Sequence, residues 1–457
     1  MIYRYLEILD RANHGEKTEM NSWNQEKVMM TVMEMVDRYE LSWDKSQIIP
    51  TDNAMLDRLF AAGLELVETI GVLAAPENRI IRFTRDELID GLRRMPQTLT
   101  MGSGKDMRTL YARKVMDQRL PLVWAGNPGC PTPEELFLPS VISWMQEPIV
   151  DLATCGSLTH IDGYPIITGA PIEIAALRRE LTYLREGLRR VGRPDMGLLG
   201  AESSVTEIGD LAVAHPDFLR SHDSHLVAMF NELIIDQSNM ARAMNSMETG
   251  IRNASLATVM VGGMAGAAPG AALVQIASFI AANWVCWADY HLLHPIHIRH
   301  VATSTRDVMW VQSAVEQAFA RNAPAIIVSD IYPKSGAVTP ELLYEVAANA
   351  IAITVSGGHL EGVGSADGAL PHGTGLEARW MGEVGHAVTR QGMDLQEANS
   401  LIQRLLEKYE YIFKNKAGNP GKPFNEAYDV TTIRPTDEWI SIYEAVKTDV
   451  RGMGLKV

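Results

Sequence analysis

The 457-residue sequence predicts an α/β protein: a (β/α)8 TIM barrel with an N-terminal mainly helical extension and C-terminal helices. Three observations lead there. From about residue 120 onward, short apolar runs alternate with amphipathic helical patterns, as in parallel strands joined by crossover helices. Eight such runs occur, near-continuously apolar, as strands covered on both faces are. No GxGxxG follows the first run, which weakens the alternative of a doubly wound Rossmann-type sheet.

Residues 1–115 read as helices. "NQEKVMMTVMEMVDRYEL" places Val28, Val32, Met35 and Val36 at helical spacing. "TDNAMLDRLFAAGLELVETIG" opens at Thr51, a candidate N-cap, and closes at Gly71. No Gly/Ser-rich linker follows, so this region is expected to pack on the barrel as an extension. The predicted strands are "PLVWAG" (121–126), "IVDLATCG" (149–156), "MGLLGA" (196–201), "FLRSHD" (218–223), "LATVMVGG" (256–263), "IHIRHVATS" (296–304), "AIIVSDIY" (325–332) and "AIAITVSGG" (350–358). Between them, Leu177, Leu181, Leu184, Leu188 and Val191 step by four and three along a helix, and a helix over 376–391 stops before Gly392. The barrel is expected over 116–393. Residues 394–457 form a C-terminal helical segment that completes the barrel or an oligomer interface. It begins with Asp394 and Glu397 as a capping pair ahead of Leu395, Ala398, Ile402, Leu405, Tyr409 and Ile412.

Composition narrows the function. A formal net charge of −15 with no Lys/Arg cluster argues against a nucleic-acid surface, although an acidic surface also serves solubility. Cys130, Cys155 and Cys286 lie far apart with no CxxC, which fits reduced thiols in a cytoplasmic setting. The charged start "MIYRYLEILDRANHGEK" has no apolar core of a signal peptide. The uncharged stretch 254–288 is interrupted by "VGGMAGAAPGAA", so a buried strand, a glycine-rich loop and a buried helix explain it better than a membrane span.

In such a barrel the site lies at the C-terminal ends of the strands. The candidates there are Asn127, Thr154, His160, Glu202, Ser203, Ser204, Asp223, His225, Thr303, Ser304, Asp330, Tyr332 and His359, each of a type that also caps helices and fills loops. "HLLHPIHIRH" concentrates His291, His294, His297 and His300 beside Arg299. A metal site is one reading; packing and hydrogen-bonding histidines are the other, because no adjacent carboxylate completes a ligand triad. "WVCWADYH" groups Trp284, Trp287, Tyr290 and His291 on an expected helix, as core or as an aromatic wall. Asp330 and Tyr332 leave one strand end on the same side, where a carboxylate and a phenol could hold an ammonium group. No GxSxG or P-loop is present.

At "GRPDMGLLGAESS" the chain resembles the monomethylamine methyltransferases of methanogenic archaea, a corrinoid-dependent group. The likeness continues through "DRANHGEK", "IPTDNAMLDRLFAAG", "HDSHLVAMFNEL", "HPIHIRHVATSTRD", "YPKSG", "GTGLEARWMGEV" and "AYDVTTIRPTDEW". It implies a TIM barrel in a homo-oligomer, a hexamer, with no metal of its own. A cognate corrinoid protein docks its cobalamin at the barrel mouth, and a methylated amine gives its methyl group to cob(I)alamin. Gly262, Gly263 and Gly266 of the glycine-rich loop are expected to meet that corrinoid.

The departures are informative. The resemblance places pyrrolysine, whose imine captures methylamine, at Leu199, which can form no adduct and no hydrogen bond. It places a family glutamate at Pro269 and Gly270, a glutamine at Asp330 and a tyrosine at Tyr332. A quaternary ammonium leaves as a neutral amine and needs a cage, not a covalent handle. The expected substrate is therefore a quaternary or N-methyl amine. Asp330 and Tyr332 take the cationic head, Leu199 and Trp287 the methyl pocket, and Glu202 or Arg299 a positioning role, Arg299 the better for a substrate carboxylate. Two alternatives are a non-catalytic homologue that still binds a corrinoid protein, and a metal-dependent barrel hydrolase or lyase using the histidines.

Overall fold

The computed structural model describes residues 2–200, 202–414 and 418–457. Its centre is a parallel eight-stranded barrel. In chain order the strands are β1 (Val123–Ala125), β2 (Leu152–Ala153), β3 (Leu199–Gly200), β4 (Ser224–Met229), β5 (Arg252–Ala257), β6 (Tyr290–Leu293), β7 (Ile327–Ile331) and β8 (His359–Gly362). Each pairs with the next, β8 pairs with β1, and a parallel bridge from Ala153 to Leu198 completes the ring. A helix follows every strand, from Glu134–Met145 after β1 to Gly375–Gln391 after β8.

Four predicted runs contain barrel strands: "PLVWAG", "IVDLATCG", "MGLLGA" and "AIIVSDIY" hold β1, β2, β3 and β7. Ala201, at the end of the third run, lies outside the described residues. "LATVMVGG" overlaps only the end of β5; Met260–Val261 beyond it pairs with Ile296–His297 on the rim. The other three runs are not barrel strands. "AIAITVSGG" belongs to helix Pro340–Ser356, which is buried on all sides and so lacks the polar stripe that would mark it as helical. That helix ends at Gly357 with φ +106°, and β8 is the "HLEG" that follows. "IHIRHVATS" lies beyond β6, which is "YHLL"; the helix expected through "WVCWADYH" stops at Val285. "FLRSHD" ends in Asp223, whose buried carboxylate pairs with Arg185 just before β4. At the helix over Asn53–Ile70 the cap is Asp52 rather than Thr51, its carboxylate accepting from Ala54 and Met55 N–H at 3.0 Å each.

The N-terminal residues close the lower end of the barrel. The hairpin Thr98–Met101/Arg108–Tyr111 sends Leu99, Met101 and Leu110 against Trp124, Leu152, Leu199, Tyr290, Leu292 and Val328 inside it. Helix Ala268–Val285, the one described helix long and apolar enough to span a membrane, is wholly buried and packs on Asn53–Ile70. Val72–Ala75 pairs in parallel with Ile234–Asp236, tying the N-terminal residues to the loop after β4.

Loops at the upper end are fixed from outside by buried glutamates. Glu180, on helix Ile172–Arg190, accepts from the backbone N–H of Glu202 (3.3 Å) and Ser203 (2.7 Å). Glu345 accepts from the N–H of Lys334 (2.7 Å) and Ser335 (3.0 Å) and from the Ser304 hydroxyl (2.5 Å). Glu377 accepts from Thr374 N–H (2.5 Å) and the Ser365 hydroxyl (3.2 Å). The bonds from backbone N–H groups satisfy donors that the strand-to-helix turns leave without a partner, and the two serine hydroxyls add to them.

Candidate active site at the barrel mouth

Asp330 on β7 and Glu361 on β8 are register partners, so both side chains enter the barrel on the same side. Asp330 is 5% exposed and Glu361 is fully buried, and their carboxyl groups lie within hydrogen-bond reach of each other. His294, just past β6, sets Nδ1 2.9 Å from Asp330 Oδ2. Its ring meets Tyr332 edge-on, centroids 4.3 Å apart at 76°. Tyr332 is immobilised. Its backbone N–H donates to Thr303 Oγ1 and its carbonyl accepts from Thr303 N–H, both at 2.9 Å, and its hydroxyl donates to the Pro128 carbonyl. A Cβ at Gly364 or Gly368 would come within 2.7 or 2.5 Å of its ring, so both positions must be glycine.

Glu202 reaches this group from the loop after β3. Besides Glu180, Arg242 supports the loop, donating from Nη2 to the Ser204 and Thr206 carbonyls at 2.9 Å each. Glu173 accepts from Val205 N–H at 3.1 Å. Glu202 and the Tyr332 hydroxyl both flank Gly129, where the loop's φ of +67° leaves room for them.

Burial, with Glu180 and Asp330 nearby, pushes the Glu202 carboxyl up to about 8; Arg242 only partly opposes this. Burial, then Asp330 and Glu202, holds the Glu361 carboxyl well above the ordinary range. Among the described residues, Glu202 Oε1, Asp330 Oδ1 and both Glu361 oxygens are buried and take no N–H. No Lys or Arg forms an ion pair with these three acids among the described residues. Buried acceptors left in this state favour a bound cation or a retained proton.

The other predicted residues are placed as follows. Leu199 is fully buried inside the barrel beside Trp124, Leu152 and Tyr290. Thr154 ends near Glu361. Asn127 and Cys130 sit in the loop after β1, with Asn127 Nδ2 donating to Thr132 Oγ1 at 3.3 Å. Ser203 Oγ accepts from Leu158 N–H (2.8 Å), Ser204 donates to the Thr206 carbonyl (2.6 Å), and His160 is exposed: these are loop roles. Arg299 is exposed on the rim.

Trp287 is not at the mouth. It precedes β6 at the opposite end of the barrel, under Arg94 at 3.5 Å and edge-on to Tyr5. His359 starts β8 rather than following a strand, so it too lies at the lower end, its ring nitrogens 2.9 Å from Leu122 N and from Tyr111 O. His225 bonds Asn253 at 3.0 Å and Ser246 at 2.5 Å. His291 stacks on Phe279 at 4.5 Å and bonds Ser255 at 2.7 Å, while His297 and His300 pack together on the surface. The histidine-rich segment therefore disperses. Among the described residues no group of three or more His, Cys, Asp or Glu side chains is arranged to hold a metal ion.

This geometry has close counterparts. The family model "Monomethylamine methyltransferase MtmB" matches residues 3–455. The chain belongs to that family. It is 34% identical over 452 residues to monomethylamine methyltransferase MtmB of Methanosarcina mazei, covering 98% of this chain and 97% of that one. It is 32% identical to MtmB1 of Methanosarcina acetivorans, with the same coverage. The crystal structure of the Methanosarcina barkeri monomethylamine methyltransferase superposes with a TM-score of 0.96 at 30% identity, over 99% of this chain and 98% of that one. A hydroxylamine complex of MtmB superposes equally well, again at 0.96.

The glycine-rich loop lies at the rim of the barrel. Gly262 and Gly266 have φ of +87° and +76° and turn the loop outward, with Met264 exposed between them. A Cβ at Gly270, in the first turn of helix Ala268–Val285, would lie 2.0 Å from the Ala265 carbonyl oxygen, so there is no room for a side chain there. Glu361 falls outside the predicted run 350–358, because its strand begins nine residues later, at His359. For His294 the hydrogen-bonding reading of the histidine-rich segment is the one that fits, its partner being Asp330. Glu180 carried one signal, an acid among the leucines of an amphipathic helix.

Proposed function

We propose that the chain transfers a methyl group from a methylated ammonium ion, N-methyl or quaternary, to a corrinoid carried by a separate cognate protein, without pyrrolysine. The observation behind this is the buried acid group Glu202, Asp330 and Glu361, with acceptors that no protein cation fills. Such a group favours a cation, and a cationic amine needs no covalent capture: its nitrogen departs with the C–N electron pair as a neutral amine. Asp330 positions the nitrogen, Tyr332 packs on the His294 ring that steadies Asp330, Glu202 adds an acceptor from across the mouth, and Leu199 closes the apolar floor below.

The rim fits a large corrinoid. Gly266 has open space where a Cβ would be, and Phe230, Met264 and Ile298 leave apolar surface exposed around the glycine-rich loop. Gly262, Gly263 and Gly266 would hold it by backbone approach. When bound, the reduced corrinoid supplies the nucleophile that accepts the methyl group. The chain works in the cytoplasm as a homo-oligomer; exposed Tyr3, Met30 and Met33 on the N-terminal helices support such an interface. The test is spectral: mix the protein with a reduced corrinoid protein and a panel of methylated amines. Formation of the methylated corrinoid with at least one amine is expected. None across primary to quaternary amines, with several corrinoid proteins, would refute the reading.

A further inference from the structure

We propose that Glu361 and Asp330 act as one proton-sharing carboxyl pair that selects, among methylated ammonium ions, those that keep at least one N–H. This rests on the methyltransferase reading above and names the residues that set its substrate class. Glu361 becomes a specificity-determining residue.

The inference starts from the register. Asp330 and Glu361 face each other across β7 and β8, and two buried carboxyl groups this close cannot both ionise cheaply. One proton held between them bridges the pair. The groups facing Glu361 are Asp330, Glu202, Tyr290, Tyr332 and the Thr154 hydroxyl, none of them cationic at neutral pH. His294 engages only Asp330 Oδ2. Glu202, pushed up to about 8 by burial, adds little further negative charge at pH 7.

Hydrogen-bond accounting separates the substrates. With one proton shared between Asp330 Oδ1 and a Glu361 oxygen, Glu202 Oε1 and the second Glu361 oxygen still await donors. A primary, secondary or tertiary methylammonium supplies them. A quaternary ammonium supplies none and would leave these acceptors dry and unpaired. Nor do aromatic faces compensate: Trp287 is at the far end of the barrel, and Tyr332 is edge-on to His294 and enclosed by Gly364 and Gly368.

The experiment is calorimetric titration of the full chain with methylammonium, dimethylammonium and tetramethylammonium chlorides, for wild type and Glu361→Gln. Wild type should bind at least one N–H ammonium about tenfold or more tighter than tetramethylammonium, the scale of one hydrogen bond to a charged group. Glu361→Gln should reduce that preference to within about threefold, with little change for tetramethylammonium. Equal or tighter binding of tetramethylammonium by wild type, or an undiminished preference in the variant, overturns the proposal. Should Glu361→Gln fail to fold, Asp330→Asn gives the same comparison. Methyl transfer to a reduced corrinoid protein is read in parallel. Transfer from tetramethylammonium alone would keep the methyltransferase reading and overturn the pair's role. Neither binding nor transfer with any ammonium would overturn both.

Discussion

Replacing Leu199 with alanine tests the centre of the site most directly. The side chain is fully buried inside the barrel, against Trp124, Leu152 and Tyr290 and above the hairpin residues Leu99, Met101 and Leu110. The ring of strands surrounding it resists collapse, so Leu199→Ala should cost about 2–5 kcal/mol of stability, transfer and cavity together. Unfolding entropy of about 2.1 cal/mol/K per residue gives roughly 1 kcal/mol/K for this length, so Tm should fall by roughly 2–5 °C. The cavity also lowers the floor under the acid group. Methyl transfer from the best amine should slow by about tenfold, the effect of a donor misplaced by about an ångström being of that order or larger. Calorimetric melting reads the first quantity and corrinoid absorbance the second. Leu199→Met, which conserves volume, should stay close to wild type in both. An unchanged Tm would refute the packing argument. A lowered Tm with unchanged rate and amine range would refute any part for Leu199 in the substrate pocket.

Three further outcomes are expected. Methylammonium affinity should rise between pH 7 and 9 as Glu202, held near 8 by burial and by Glu180, Asp330 and Asp210 against the opposing pull of Arg242, becomes ionised; titration calorimetry of Glu202→Gln should give a flat profile, and a wild-type affinity that falls over this range would contradict the assignment. Stability should be highest near pH 4.5, the low end of the window between about pH 4.5 and 6.5, because Glu202 and Glu361 are also held protonated by burial. Burial lowers His291 and His359 from 6.5 to about 3, so their contribution is lost as pH falls through that window; Glu345 and Glu377, raised from 4.5 to about 7, lose theirs as pH rises through it, at most about 3 kcal/mol each. A Tm maximum above pH 8 would count against these environments. Trp287→Ala should cost about 1–3 kcal/mol through the lost Arg94 and Tyr5 contacts and leave methyl transfer within twofold of wild type, because the residue lies at the closed end of the barrel. A loss of tenfold in transfer would place it at the site after all.

Much of the barrel is legible in the sequence, for physical reasons that also explain the exceptions. β1, β2, β3 and β7 are short apolar runs bounded by proline, glycine or polar residues, the form a strand covered on both faces takes. Helix Pro340–Ser356 hides β8 because a helix buried on all sides offers no amphipathic period, and its "AIAITV" is as apolar and β-branched as a strand. That displacement also concealed Glu361, which became visible as a site residue only through its register with Asp330. Asp330 and Tyr332 were readable because alternation off a strand end puts two side chains on one side; the structure adds that Tyr332 is enclosed by Gly364 and Gly368, distant in sequence. Trp287 misled because aromatics close in sequence do not disclose which end of a barrel they face.

The buried acids divide into two kinds. Glu173, Glu180, Glu345 and Glu377 lie on helices outside the barrel, and backbone N–H groups of the upper loops donate to them. Their role is to hold the turns, since each replaces water as the acceptor for a turn donor. Glu202, Asp330 and Glu361 come from the barrel side, and they keep oxygens with no N–H donor. A buried carboxylate without a donor costs stability, so nothing about folding accounts for three of them converging. The outer set fixes the loops on which the inner set depends: Glu180 binds the backbone of Glu202 itself, and Glu345 binds the residues next to Tyr332. Loss of one outer glutamate should therefore disturb ammonium binding without touching the ligand, and Glu180→Gln is the sharpest case. Measured at pH 9, where Glu202 is ionised with or without Glu180, it should lower methylammonium affinity several-fold while tetramethylammonium changes less, because what moves is the placement of an acceptor.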